Sequence, residues 1–272
     1  MIKNLDTLGL KSIVANYDLY FVDVWGVIHN GISLFDDAII ALNELDKLNK
    51  EYILLTNAPR PNNSVKKFLE KMGLAKNISD RVYTSGQASL DYLLKNCKDK
   101  KFFHIGPSRD FDLFVSFKKN KINKIMESEY ILCTGLLDYH EQDLNFYIEL
   151  LKDQVNKKMI CTNPDLVVDR GEIREYCAGS VAKIFEKLGG KVEYFGKPYP
   201  NVYTQSTRLE NRKILCIGDN LNTDIKGANI QNFSSLLISN GIHRHELENK
   251  KQKELFKEYN VKVDYIQRNF KW

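Results

Sequence analysis

Short, nearly unbroken apolar runs alternate along this chain with stretches whose apolar residues recur every three or four positions. Leu19–Val24 (LYFVDV) is interrupted only by Asp23 and predicts a strand buried on both faces. Phe35–Leu48 places Ala38, Leu42, Leu45 and Leu48 on one helical face. Tyr52–Thr56 (YILLT) predicts the next strand, and Ser64–Met72 a helix that Gly73 stops. Further strands are predicted at Lys101–Ile105, Tyr130–Thr134, Met159–Thr162, Val192–Phe195, Lys213–Ile217 and Ser235–Ile238. A helix over Tyr176–Leu188 ends at Gly189–Gly190. This alternation predicts an α/β fold with a mainly parallel sheet.

Composition narrows the picture only a little. The 272 residues are 43% hydrophobic and 28% charged, ordinary values for a globular chain that fills its own core. The five cysteines (Cys97, Cys133, Cys161, Cys177, Cys216) form no C-x-x-C pair, and buried free thiols in a reducing compartment are expected. Met1–Ala15 lacks the apolar segment of a signal peptide, and no run approaches the ~18 apolar residues of a membrane span. A cytoplasmic protein without membrane or nucleic-acid partners is expected. The net charge of +5 comes from lysines dispersed over the chain, which reads as solvated surface.

Four polar clusters close predicted strands, where open α/β sheets bind ligands. Asp23-Val24-Trp25-Gly26-Val27 ends the first, with a glycine for the tight turn. Thr56-Asn57 ends the second, and its hydroxyl, amide and backbone N–H groups suit a phosphate. Gly196-Lys197-Pro198 follows a third, and its lysine can neutralise a phosphate or hold a carboxylate. It is not a nucleotide P-loop, because Pro198 stands where Ser or Thr is required. Gly218-Asp219-Asn220-Leu221-Asn222-Thr223-Asp224 follows a fourth. Asp219 lies beside Asp23 if their strands are neighbours, and paired carboxylates there call for a proton or a hard cation.

In this order the motifs resemble those of the haloacid dehalogenase-like (HAD) phosphatase superfamily. The family pattern is D-x-D-x-[TV], a strand-ending Ser or Thr, a Lys, and G-D-x-x-x-[TD]-D; here it reads DVWGV, LLTN, GKP and GDNLNTD. The long insert between the second and third motifs looks like the subgroup with an α/β cap, which includes p-nitrophenyl phosphatase, pyridoxal phosphate phosphatase and NagD-like proteins. Cys161-Thr162-Asn163-Pro164-Asp165 resembles the N-P-D signature of that cap. The resemblance runs from about Leu19 to about Gly241.

It implies a Rossmann-like core over residues 1–82 and 191–272 with an inserted α/β cap at 83–190. It implies a Mg²⁺-dependent phosphohydrolase of a small phosphorylated metabolite, working through an aspartyl-phosphate at Asp23. Asp23 and Lys197 become the catalytic pair. Thr56, Asn57 and Asp165 bind substrate, Thr56 and Asn57 together with Lys197 at the phosphoryl group. Asp23, the Trp25 backbone carbonyl and Asp219 hold the metal, and Asp224 supports the metal's water shell or Lys197. Arg60, Arg170 and Arg174 are candidates for substrate contact or plain surface. A homodimer is compatible with this reading.

One position departs from the pattern. Trp25 stands where the family carries an acid/base aspartate, and indole has no proton to exchange near neutral pH. Three readings stay open: His29 substitutes, the substrate has a good leaving group, or the protein binds phosphorylated ligands with little turnover.

Overall fold

The computed structural model describes residues 2–170 and 173–272, the side chain of Arg170 excepted. Along the chain the strands are β1 (Lys3–Asn4), β2 (Leu19–Val22), β3 (Glu51–Thr56), β4 (Val82–Thr84), β5 (Phe102–Ile105), β6 (Lys121–Ile122) and β7 (Tyr130–Cys133). They continue with β8 (Lys158–Cys161), β9 (Val167–Arg170), β10 (Ile173–Tyr176), β11 (Lys191–Tyr194), β12 (Ile214–Gly218), β13 (Ser234–Ile238) and β14 (Tyr265–Gln267). The fold is α/β with mainly parallel sheets, as the alternation predicts.

The chain divides into two compact units. The first is Met1–Thr56, Lys66–Tyr83 and Lys197–Trp272; the second is Asn57–Val65 and Thr84–Gly196. The sequence division at 83–190 leaves β11 outside the insert. In the structure β11 pairs in parallel register with β8, so it completes the second unit's sheet.

The first unit holds a seven-stranded sheet in the order β1-β14-β13-β12-β2-β3-β4. The pairings from β1 to β3 are parallel. All four residues of β2 are buried, because a parallel strand in mid-sheet is covered on both faces. One cluster joins Leu19 and Phe21 to Leu55, Val202, Tyr203, Ile214, Cys216 and Ala228. From β2 the chain goes to β3 on one side, while β12 pairs on the other, so β2 sits at a topological switch point. That geometry opens a crevice at the carboxyl end of β2.

Local sequence accounts for the elements around it. The helix Asp36–Lys47 buries Ala38, Ala41, Leu42 and Leu45, has Asp36 and Asp37 in its first turn and Lys47 in its last, as its dipole favours. Leu48, expected on its apolar face, is 50% exposed, because the helix stops there and Asn49 turns to φ +50°. The helix expected from Tyr176 begins at Ala178, and Tyr176 pairs with Val167 in the antiparallel β9–β10 hairpin. β1 and β14 had no strand signal, being two and three residues long. Phe270 is 2% exposed and Leu10 N–H donates to Lys271 O at 3.0 Å, so the two ends of the chain are packed together. The five cysteines are free and buried. No helix among the described residues is long and apolar enough to cross a membrane.

The second unit holds a parallel five-stranded sheet, β11-β8-β7-β5-β6, beside the hairpin. At its carboxyl edge the His104 ring lies 2.8 Å from Thr134 Oγ1, and Thr134 also bonds the buried Asp110 carboxyl. Burial pushes Asp110 up to about 6 and His104 down to about 3. A raised carboxyl favours folding fully below its unfolded value and loses that contribution as pH rises through about 6. Asp110→Asn is therefore expected to stabilise the protein at pH 7.5 by up to about 3 kcal/mol, and not at pH 4. Urea unfolding of both proteins at the two pH values checks this.

Candidate active site

Asp23 follows β2 directly, Asp219 follows β12, and the two strands pair in register with Val22 opposite Ile217. Asp23 N–H donates to Ile217 O at 2.8 Å, which fixes the backbone at the point where the carboxylate leaves the sheet. Asp23, Asp219 and Asp224 are all buried, and one oxygen from each lies within 4.8 Å of the others. Lys197, 4% exposed, donates to Asp23 Oδ1 and, at 2.7 Å, to Asp224 Oδ1. Burial works against the Lys197 ammonium, but Asp224 and Asp23 outweigh it and leave its pKa above the usual lysine range. Burial, then the Asp23 and Asp224 charges, push Asp219 well above the usual carboxylate range.

Backbone geometry brings these groups close. Asp219 Oδ2 accepts from Ile242 N–H at 2.9 Å. A Cβ at Gly26 (φ +83°) or at Gly241 would collide with the Asp219 carboxylate. The Gly26 Cα thus passes close to Asp219. Leu221–Ile225 forms a π-helical turn before the α-helix Lys226–Ile230. In that turn Asp224 Oδ2 accepts from Asn220 N–H at 3.1 Å while Oδ1 reaches Lys197. Such turns favour functional sites because they redirect one side chain without ending the helix.

With every group ionised, three carboxylates and one ammonium carry a formal charge of −2. Oxygen donors, burial and that charge fit one hard divalent cation such as Mg²⁺. The residues that would hold it are Asp23, Asp219 and Asp224.

The other candidates are placed as follows. Thr56 is buried at the end of β3, beside β2, at the same edge as Asp23. The unit boundary falls between Thr56 and Asn57. Within the second unit, Asn57 Nδ2 donates to Asp165 Oδ1 at 3.1 Å, and Asp165 N–H donates to Asn163 Oδ1 at 3.0 Å. Gly196 (φ +117°) has no room for a Cβ between Asn57, Pro164 and Ser85. The N-P-D segment is thus packed around the Asn57 amide.

Arg60 is held by Asp112, with Nη2 2.8 Å from Oδ2, and Arg174 pairs with Asp169 at 2.8 Å on the hairpin. The Arg170 side chain lies outside the described residues. Trp25 packs its ring against His29 at 4.9 Å and over Gly31. His29 Nδ1 accepts from Gly31 N–H at 2.8 Å, and burial pulls its pKa down to about 4. It is therefore neutral at pH 7, a poor proton donor and a weak base. Sequence reasoning missed Gly241 and Ile242. Their signal was a glycine just beyond the predicted strand Ser235–Ile238, at the same sheet edge.

Residues 20–116 match the family described as haloacid dehalogenase-like hydrolase, and residues 194–266 match a second family described as HAD-hydrolase-like. A crystal structure of a haloacid dehalogenase-like hydrolase from Brucella suis 1330 superposes with a TM-score of 0.82. It is 30% identical, over 96% of this chain and 98% of that one. The chain belongs to the haloacid dehalogenase-like hydrolase family. A 4-nitrophenylphosphatase of Schizosaccharomyces pombe is 24% identical over 87% of this chain and 88% of its own length. A solved structure described as a putative nagD protein is 25% identical, covering 83% and 90% of the two chains, with a TM-score of 0.64. These likenesses put the HAD chain in the NagD-like subgroup.

Proposed function

We propose that the protein is a Mg²⁺-dependent phosphatase of a small phosphorylated metabolite, with Asp23 as nucleophile. The observation that carries this is Lys197 bridging Asp23 and Asp224 within a cluster of three buried carboxylates at a parallel-sheet switch point. The phosphatase relatives support the same reading.

In this mechanism an Asp23 carboxylate oxygen attacks phosphorus. The bond to phosphorus forms as the ester P–O bond breaks, and the leaving oxygen takes the electron pair. Water then cleaves the aspartyl-phosphate, releasing phosphate and restoring Asp23. Lys197 orients the carboxylate and offsets its repulsion of the incoming phosphate. Asp224 and the Ile242 N–H hold Lys197 and Asp219 in place. Mg²⁺, when bound, supplies the positive charge that the carboxylates and phosphoryl oxygens require. Thr56 and Asn57 bind phosphoryl oxygens together with Lys197, and Asp165, hydrogen-bonded to Asn57, contacts the substrate.

Trp25 determines which esters are good substrates. With no acid at that position and His29 neutral, the leaving group departs with its negative charge. Acetyl phosphate and 4-nitrophenyl phosphate are therefore expected to exceed glycerol 3-phosphate in kcat/KM by ~10²–10⁴-fold, the usual worth of a general acid. Steady-state kinetics with Mg²⁺ on these three compounds is the test. Equal values would mean that another group donates the proton. No turnover, with tight Mg²⁺-dependent binding, would make the protein a ligand sensor.

A further inference from the structure

Tyr203, in the helix Pro200–Ser206, is 1% exposed, and its hydroxyl has no hydrogen-bond partner among the described residues. Its ring is fixed edge-on against Phe21 at 5.2 Å and against Phe233 at 6.0 Å. On the other side the hydroxyl abuts Gly227, where any Cβ would collide with it. Phenylalanine would fill this place equally well. A buried hydroxyl left unsatisfied costs its full desolvation, so the oxygen calls for a partner.

A small cavity supplies the place for one. It lies on the core side of the acid cluster and is lined by Phe21, Leu55, Cys216, Tyr203, Asp23, Lys197 and Asp224. Its size suits one water molecule, and four of its lining residues, Tyr203, Asp23, Lys197 and Asp224, have the polar side chains from which a buried water draws its two to four partners. Tyr203 is the one uncharged hydroxyl on that wall.

We propose that this cavity is a built water site and that Tyr203 is a positioning residue, whose hydroxyl acts through one buried water on the Asp23–Lys197–Asp224 cluster. Such a water accepts from or donates to the tyrosine and bonds the carboxylates and ammonium on its other side. It makes the floor of the cluster polar, so Lys197 keeps its place between its two carboxylates when Asp23 gives up its charge to phosphorus. That kinetic role rests on the phosphatase reading; the water site does not.

Tyr203→Phe is the test, with Tyr130→Phe as control. The Tyr130 hydroxyl is also buried without a partner among the described residues, but it lies in the second unit, where the ring stacks on Phe102. Loss of a water-bridged hydroxyl lowers Tm; loss of an orphaned one raises it. Tyr203→Phe is expected to lower Tm and to reduce kcat on 4-nitrophenyl phosphate about fivefold at unchanged KM, as loss of a transition-state interaction does. Tyr130→Phe is expected to raise Tm or leave it unchanged, with kcat unchanged. A high-resolution crystal structure is expected to show ordered solvent within hydrogen-bond distance of Tyr203 Oη. A raised Tm in Tyr203→Phe, or no solvent there, overturns the water site. Unchanged kcat overturns the positioning role even if Tm falls. Should the wild-type protein turn over no phosphate ester, the phosphatase reading fails, while the Tm sign and the density still decide the water site.

Discussion

Asp23→Asn is expected to lower kcat on 4-nitrophenyl phosphate by ~10³-fold or more, because an amide cannot form the covalent intermediate. The fold is expected to tolerate the change. The cluster's formal charge goes from −2 to −1, and Lys197 keeps its bond to Asp224 Oδ1 at 2.7 Å. Without Mg²⁺ the variant is therefore expected to melt no lower than the wild type. Denaturing mass spectrometry of substrate-quenched samples is expected to show a phosphate adduct on the wild type and none on the variant. Turnover at the wild-type rate in Asp23→Asn would remove this carboxylate from the chemistry. Loss of turnover with a large fall in Tm would point to a structural role instead.

The position of Asp23 was readable because an acid closing an apolar run is exposed at the carboxyl edge of a buried strand. The same logic placed Thr56 and Asp219, and pairing of β2 with β12 and β3 brings their strand ends side by side. What holds the cluster together was much less readable. Asp219 is cradled by a backbone N–H at Ile242 and by the bare Cα atoms of Gly26 and Gly241, and neither kind of partner has a side chain to announce it. Tyr203 carries no sequence signal of its own, since only its hydroxyl distinguishes it from other core aromatics, and burial next to charge depends on long-range packing. The β9–β10 hairpin was missed because charged residues break up both of its short strands, and Tyr176 beside an apolar helix drew the helix boundary too early. β1 and β14 owe their existence to the sheet edge they extend, a tertiary effect that short local sequences do not encode.

Lys197 carries the second large effect, on stability as well as rate. It is the positive charge facing Asp23 and Asp224, and its side chain is only 5% exposed. Lys197→Met keeps the aliphatic bulk and deletes the charge. Breaking a buried pair in this way costs about 3–5 kcal/mol, because the remaining charges stay desolvated and face one another. The pH dependence has a definite sign. In the variant, Asp219, which burial and then the Asp23 and Asp224 charges already hold well above the usual carboxylate range, also loses the opposing Lys197 charge. Its contribution is then fully present below about pH 4, near the unfolded value, and is lost as pH rises through its raised folded value. The stability deficit relative to the wild type is therefore expected to be small near pH 4 and full by pH 8. Mg²⁺ is expected to raise the Tm of the variant more than that of the wild type at pH 8, since the cation meets three uncompensated carboxylates rather than two in excess. Activity is a separate matter: phosphate release is expected to stay at least ~10²-fold low even at saturating Mg²⁺, because the charge opposite the attacking carboxylate is gone. Thermal unfolding at pH 4 and pH 8, with and without Mg²⁺, alongside kinetics on 4-nitrophenyl phosphate, separates these contributions. A deficit that does not change with pH would mean that Lys197 stabilises by packing alone, and that the carboxylates are kept neutral by protons of their own.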